Sequence, residues 1–224
     1  ATTGIDKKIK LWDLDTTQCI DEVVVDDIPF TVVFHTDGQS LFWAGRNGIV
    51  REYDFQAGSS RVIGEATSGG IRCLAISPDG TTLAAGGIEP VIRIWDLETG
   101  ALRAESIGHL AAINQLSFSP DGTSVVSASS DQTIRLWDSL TGDLQSVLRD
   151  SQSEVFDVAF SPSGTTLAAV NGFAHIRLYE THANHASALP DTNFWPDRSD
   201  LSGKAPSTPR TKSSRWSSAL AQPD

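Results

Sequence analysis

The chain has 224 residues, of which 39% are hydrophobic and 20% are charged, and its formal net charge is −11. This composition is typical of a globular protein that buries a core, which excludes the fibrous and the wholly disordered classes. No apolar run approaches the roughly 18 residues that a membrane-spanning helix needs, and no segment combines a basic face with an apolar one, so we expect no membrane partner.

The negative charge is concentrated in the first four fifths of the chain. Residues 1–180 contain 24 acidic and 12 basic residues, whereas residues 181–224 contain 4 acidic and 5 basic residues. Because an acidic surface repels nucleic-acid phosphates, we expect no nucleic-acid partner. The charge favours a protein partner with a basic patch.

A motif that ends in an acidic residue recurs along the chain at nearly constant intervals. Its copies are KIKLWD at 8–13, IVREYD at 49–54, VIRIWD at 91–96, TIRLWD at 133–138 and HIRLYE at 175–180. The intervals between them are 41, 42, 42 and 42 residues. A fixed period of this length is the signature of a repeat architecture, in which each repeat is one supersecondary unit.

A second motif keeps the same spacing and predicts a turn in each repeat. Its copies are FHTDG at 34–38, ISPDG at 76–80, FSPDG at 118–122 and FSPSG at 160–164. Proline presets the backbone for the second position of a type I turn, and glycine suits the fourth. Because β-rich runs flank each turn, we predict four short antiparallel strands per repeat. Both faces of these strands carry apolar or small residues, so neighbouring sheets should stack on one another.

With both motifs in register, residues 1–180 resemble the WD40-repeat family of β-propellers, in which four-stranded blades stand around a central channel. The resemblance implies an all-β fold of about four blades plus part of another, which would form an incomplete ring. The expected divisions are a partial blade at 1–25 and blades at 26–67, 68–109, 110–151 and 152–189. Two blade faces would then be open, which predicts self-association.

The repeat that contains TIRLWD matches the family most completely. In the family, a histidine, a strand serine or threonine, a turn aspartate and the tryptophan form a buried hydrogen-bonded tetrad. The resemblance assigns three of these roles to His109, Asp131 and Trp137. Ser127 and Ser129 lie on one face of the same predicted strand, so the sequence leaves both open for the fourth role, and we favour Ser129.

Differences between the repeats indicate where a partner would bind. Four positions before the Phe or Ile that leads into the turn, the repeats carry Phe30, Arg72, Asn114 and Phe156. In WD40 proteins the matching positions commonly contribute to a partner-binding top face, so the resemblance implies an aromatic, cationic and amide surface there. Aromatic residues and arginine are enriched in interface hot spots. The alternative is that Phe30 and Phe156 only plug the channel.

A basic residue also stands three positions before the terminal acid of every repeat. These residues are Lys10, Arg51, Arg93, Arg135 and Arg177. Because the position repeats with the structural period, we expect the side chains to pack between blades and to pair with acids on the adjacent sheet.

Catalytic and metal-binding motifs are missing from the sequence. No G-x-S-x-G, P-loop, H-E-x-x-H or G-x-G-x-x-G pattern occurs. His175, His182 and His185 have no Cys or acid at ligand spacing. The sequence therefore predicts a non-catalytic scaffold for protein or peptide partners, with no cofactor, metal or small-molecule substrate.

Two alternative functions remain open at the level of sequence. One is the substrate receptor of a ubiquitin ligase; receptors of one WD40 class carry Arg two residues after the Trp-Asp pair, but those positions here are Asp15, Glu98 and Leu140. The other is the propeller domain of a larger enzyme.

The two ends of the chain and its cysteines indicate a disordered tail, a cellular location and an upstream part. Residues 190–224 are rich in Pro, Ser and Thr, which predicts a disordered tail. Cys19 and Cys73 form no ligand or disulfide motif, which favours an intracellular location, in the cytoplasm or alternatively the nucleus. Because the chain starts at Ala1 and contains no methionine, we expect that an upstream part has been removed.

Overall fold

The computed structural model describes residues 1–65, 69–149, 152–173 and 175–181. Within these ranges all regular secondary structure is β-strand, and there is no helix that could span a membrane. This confirms the all-β prediction. The predicted tail at 190–224 lies outside the described residues, as do His182 and His185.

The strands form five antiparallel sheets that follow one another along the chain. Sheet 1 contains β1 (Thr2–Gly4), β2 (Lys8–Trp12) and β3 (Cys19–Val24). Sheet 2 contains β4 (Pro29–Phe34), β5 (Ser40–Gly45), β6 (Ile49–Asp54) and β7 (Ser59–Glu65). Sheet 3 contains β8 (Ile71–Ile76), β9 (Thr82–Gly87), β10 (Val91–Asp96) and β11 (Leu102–Ile107). Sheet 4 contains β12 (Ile113–Phe118), β13 (Ser124–Ser129), β14 (Ile134–Asp138) and β15 (Leu144–Leu148). Sheet 5 contains β16 (Val155–Phe160), β17 (Thr166–Asn171) and β18 (Ile176–Glu180).

The predicted turns connect the first and second strands of sheets 2 to 5. In sheet 3 the amide of Gly80 donates to the carbonyl of Ser77 at 2.9 Å, which closes the turn. The φ of Gly80 is +77°, in the left-handed region that glycine adopts without a steric penalty. Asp79 accepts a hydrogen bond from the Thr81 amide at 3.0 Å, so its side chain fixes the start of the next strand.

Each sheet packs on the next through one apolar cluster. Between sheets 1 and 2 the cluster contains Ile9, Leu11, Val23, Val25, Leu41 and Trp43. Between sheets 2 and 3 it contains Phe42, Ala44, Val50, Ile63, Ile71, Leu74, Leu83, Ala85, Trp95 and Leu97. Between sheets 3 and 4 it contains Cys73, Ala75, Ala84, Ile92, Ile94, Ile113, Leu116, Phe118, Val125 and Trp137. Between sheets 4 and 5 it contains Val126, Ala128, Ile134, Val155, Val158, Leu167, Ala169 and Tyr179. Sheets 2, 3 and 4 therefore bury both faces, which explains why their strands carry apolar or small residues on both sides.

The outward faces of sheets 1 and 5 carry exposed apolar side chains. On sheet 5, Ile176 is 72% exposed and Leu178 is 59% exposed. On sheet 1, Trp12 is partly exposed and its indole nitrogen donates to the Thr2 hydroxyl at 2.9 Å. Self-association through these faces stays a prediction.

Candidate functional site

The four residues predicted at the top face occupy the same position in four sheets. In sheets 2 to 5 the pairing of the first and second strands shifts by one residue at the start of the first strand. The residue left without a partner in each bulge is Phe30, Arg72, Asn114 or Phe156. A β-bulge re-aims the side chain of its extra residue, which is why bulges are common next to binding sites.

These bulge residues form a continuous row from sheet 2 to sheet 5. A guanidinium nitrogen of Arg72 donates to the side-chain oxygen of Asn114 at 3.2 Å. The amide nitrogen of Asn114 donates to the carbonyl of Val155, the residue before Phe156, at 2.9 Å. At the other end, a methyl group on Gly70 would lie 3.1 Å from the ring of Phe30, so the Phe30 ring lies against the strand that carries Arg72. Phe30 and Phe156 are 46% and 50% exposed, so about half of each ring is open to solvent.

Turns between the second and third strands lie at the same end of the sheets, because the first residue of β8 pairs with the last residue of β9. We call this end the upper face; it holds the starts of β4, β8, β12 and β16. The turns add Arg46, which is exposed, and Ile88, which is 51% exposed. Sequence reasoning missed both residues, although each stands one position before the repeat equivalent of Asp131 and could have been found from the period.

Beneath the upper face, the predicted tetrad is assembled in sheet 4, but with a different serine. The Ser127 hydroxyl lies 2.6 Å from Nε2 of His109 and accepts the indole N–H of Trp137 at 2.8 Å. Nδ1 of His109 lies 2.8 Å from a carboxylate oxygen of Asp131. Ser129 is therefore the wrong choice for the tetrad: its hydroxyl donates to the carbonyl of Ala112 at 2.9 Å.

Strand pairing gives the physical reason for this correction. Ser127 is paired with Arg135 across β13 and β14, two residues before Trp137, which places its hydroxyl below the indole. Ser129 is at the end of β13, where it is paired with Ile113 and bonds the loop that enters β12. Two residues along a strand leave a side chain on the same face but move it by roughly 7 Å, and only the inner position reaches the histidine.

Each hydrogen bond of the tetrad can be assigned one donor and one acceptor. A carboxylate only accepts, so Nδ1 of His109 donates to Asp131 and Nε2 is left as an acceptor. The Ser127 hydroxyl therefore donates to Nε2 and accepts from Trp137. The network assigns the Nδ1–H tautomer to a neutral imidazole.

Burial and hydrogen bonding set the charge states of this network. Burial lowers the pKa of His109 below its ordinary value of 6.5, against the opposite effect of Asp131. Burial raises the pKa of Asp131, but hydrogen bonds from Thr133, the Leu110 amide and His109 outweigh it and hold that pKa well below 3.8. Asp131 is thus ionised and His109 is neutral at pH 7.

Sheet 2 replaces this polar network by an aromatic residue. Trp43 occupies the strand position of Ser127 and is 1% exposed. The guanidinium carbon of Arg51 lies 4.9 Å from the Trp43 ring centre, a cation–π contact. The Trp43 indole nitrogen is buried without a hydrogen-bond partner among the described residues. Packing of a large side chain therefore takes the place of the hydrogen bonds in this sheet.

The basic column pairs differently from the prediction. Lys10 lies 3.8 Å from Glu22, and Arg93 lies 2.9 Å from Glu105, in each case within one sheet. The expectation of pairing with acids on the adjacent sheet is wrong for these residues. Lys10 and Glu22 are directly opposite each other in β2 and β3, as are Arg93 and Glu105 in β10 and β11, and opposite side chains on one face of a sheet are close enough to pair.

Within the described residues, no three His, Cys, Asp or Glu side chains are grouped so as to hold a metal ion. The structure also places His175 next to Phe173, with 6.5 Å between the ring centres.

Five stacked antiparallel sheets in sequence order define a protein built from β-propeller blades. A family model described as WD domain, G-beta repeat (WD40) matches residues 59–96 and 101–138. The match identifies these two segments as WD40 repeats. No curated protein matches it in sequence.

Proposed function

We propose that this protein is a non-catalytic scaffold that binds a protein or peptide partner on its upper face. WD40 repeats generally serve as protein-interaction scaffolds, which supports the broader part of the proposal. The more specific part, that the partner binds on the upper face, rests on the row of bulge residues. Phe30, Arg72, Asn114 and Phe156 hold equivalent places in four sheets and yet differ in chemistry.

Strand pairing within each sheet does not require these side chains. Each bulge residue is outside the ladder of its own sheet, and Phe30, Arg72 and Phe156 are exposed. Two half-exposed phenylalanines with an arginine between them are costly to leave in water and favourable to cover, as in the hot spots of protein interfaces. The row therefore supports partner binding better than plugging of a channel.

Partner capture with matched variants tests this proposal. We expect Phe156→Ala and Phe30→Ala to weaken capture of cellular partners, as quantified by mass spectrometry after affinity purification, without lowering the melting temperature. Leu140→Ala is the matched control, because Leu140 is 64% exposed but lies in the turn after β14, at the opposite end of the sheet. Equal capture by all three variants and the parent protein would place the binding site elsewhere.

We further propose an intracellular location, which the free cysteines support. Cys19 is an exposed thiol and Cys73 a buried one. Burial raises the pKa of Cys73 to about 12, so this thiol is protonated and unreactive. Exposed free thiols persist in reducing compartments. Fractionation of cells with antibody detection tests the location, and recovery only from the secreted fraction would contradict it.

A further inference from the structure

Four residues with exposed side chains lie next to Gly70 on the upper face, in space or along β8, and two of them are basic and two apolar. We call Phe30, Arg46, Gly70, Arg72 and Ile88 the Gly70 cluster. A methyl group on Gly70 would lie 3.1 Å from the Phe30 ring and 3.4 Å from Cα of Arg46. The amide of Ile88 donates to the carbonyl of Gly70 at 3.0 Å. Arg72 follows two residues later in β8, so three neighbouring chain segments meet at this glycine.

The arginines of this cluster differ from those of the sheets around them in lacking an acidic partner. Elsewhere in sheets 2 and 3, arginine side chains lie within 2.9 Å of acidic oxygens; the pairs are Arg51 with Asp26, Arg61 with Glu52, Arg93 with Glu89 and Glu105, and Arg103 with Asp96. In the described part of the chain, no acidic side chain pairs with Arg46 or Arg72. The nearby Asp27 accepts a hydrogen bond from the Asn47 amide at 2.7 Å. Neither guanidinium group is thus neutralised by an acid among the described residues; that of Arg72 donates to the side-chain oxygen of Asn114 at 3.2 Å, and its remaining N–H groups can donate to an external ligand.

The two arginines of the cluster carry a charge opposite in sign to the net charge, and the neighbouring Glu89 already pairs with Arg93 at 2.9 Å. A net charge of −11 favours a basic partner at long range. At physiological ionic strength the Debye length is about 8 Å, so distant acids are screened while a contact at hydrogen-bond distance is not. At this cluster the local arginines decide the preference, and they favour an anion.

We propose that the Gly70 cluster binds an acidic segment of a protein partner, with a carboxylate at Arg46 and Arg72 and an apolar side chain against Phe30 and Ile88. This inference rests on the proposed function and names the chemistry of its partner. The guanidinium group suits a carboxylate because it can donate two parallel hydrogen bonds. The half-exposed Phe30 and Ile88 provide the apolar area that a hydrated anion alone would leave uncovered. A segment that combines acidic with aromatic residues matches both halves of the cluster.

Fluorescence anisotropy with a defined probe tests this inference. The probe is a short fluorescein-labelled peptide in which glutamate alternates with phenylalanine, titrated with the full chain. We expect saturable binding, and we expect Arg46→Gln and Arg72→Gln each to weaken it roughly tenfold, as loss of a charged hydrogen bond implies. Arg61→Gln is the matched control, since it removes the same charge from β7 on the outer strand. It should leave affinity unchanged.

The opposite results would overturn the inference. They are no saturable binding of the probe, equal binding of a peptide with glutamine in place of glutamate, or unchanged affinity of both cluster variants. If the arginine variants keep their affinity while Phe30→Ala and Phe156→Ala lose cellular partners, the scaffold stands and the acidic segment is wrong. If the arginine variants lose the probe while both phenylalanine variants keep all partners, the row of bulge residues is not the partner site.

Discussion

Ser127→Ala is the sharpest test of the hydrogen-bonded network beneath the upper face. The substitution removes one oxygen that serves two buried partners, Nε2 of His109 at 2.6 Å and the indole N–H of Trp137 at 2.8 Å. Ser127 and Trp137 are 0% and 1% exposed, so water does not reach the groups that would be left unpaired. Each buried group without a partner costs roughly 1–3 kcal/mol, so for two groups we expect a loss of about 2–6 kcal/mol in the free energy of unfolding.

Urea denaturation followed by tryptophan fluorescence measures this loss directly. A protein of this size has a total stability on the order of 5–15 kcal/mol, so the change should move the midpoint visibly. Ser124→Ala is the control, because the Ser124 hydroxyl donates to Gln145 at 3.0 Å in an exposed pair that water can replace. A Ser127→Ala midpoint equal to that of the control would refute the network as a source of stability.

Three further predictions concern pH, packing and backbone geometry. Burial lowers the pKa of His109 in the folded chain, so the contribution of His109 to stability is fully present above pH 6.5 and is lost below it as the unfolded imidazole takes up a proton; His109→Gln should remove that loss in midpoints measured against pH. Trp43→Ala should cost about 3–5 kcal/mol in urea denaturation, and a cost under about 1 kcal/mol would show that sheets 1 and 2 repack. Gly45→Ala would bring a methyl group 1.9 Å from the carbonyl of Ile28 and should cost at least about 2 kcal/mol, whereas Gly100→Ala, at a φ of +71° in open space, should cost about 1 kcal/mol; equal melting temperatures would contradict this order.

The repeat period and the turn residues were sufficient to predict the sheets. The hydrogen bonds that form a turn join residues only two to four positions apart, as the Ser77–Gly80 and Asp79–Thr81 hydrogen bonds illustrate. A short stretch of sequence is therefore enough to predict the turn. The apolar residues on both strand faces likewise predicted stacking, because burial depends on residue type before it depends on a particular neighbour.

Which residues touch across sheets was settled only by the tertiary structure. Ser127 and Ser129 are the same residue type and lie on the same face of the same strand. Only the position of His109 above β13 distinguishes them. Lys10 and Arg93 were expected to reach a neighbouring sheet. The strand register instead places an acidic residue directly opposite each of them within its own sheet.

The sequence alone thus determined the repeating strands and the turns, since each follows from local chemistry and the period. The tertiary structure alone decided that Arg46 and Ile88 lie beside Gly70 with Phe30 and Arg72. These residues come from separate strands and turns, and their proximity depends on how sheets 2 and 3 pack against each other. Packing distances between sheets are fixed by the summed volumes of many buried side chains, which no single motif encodes.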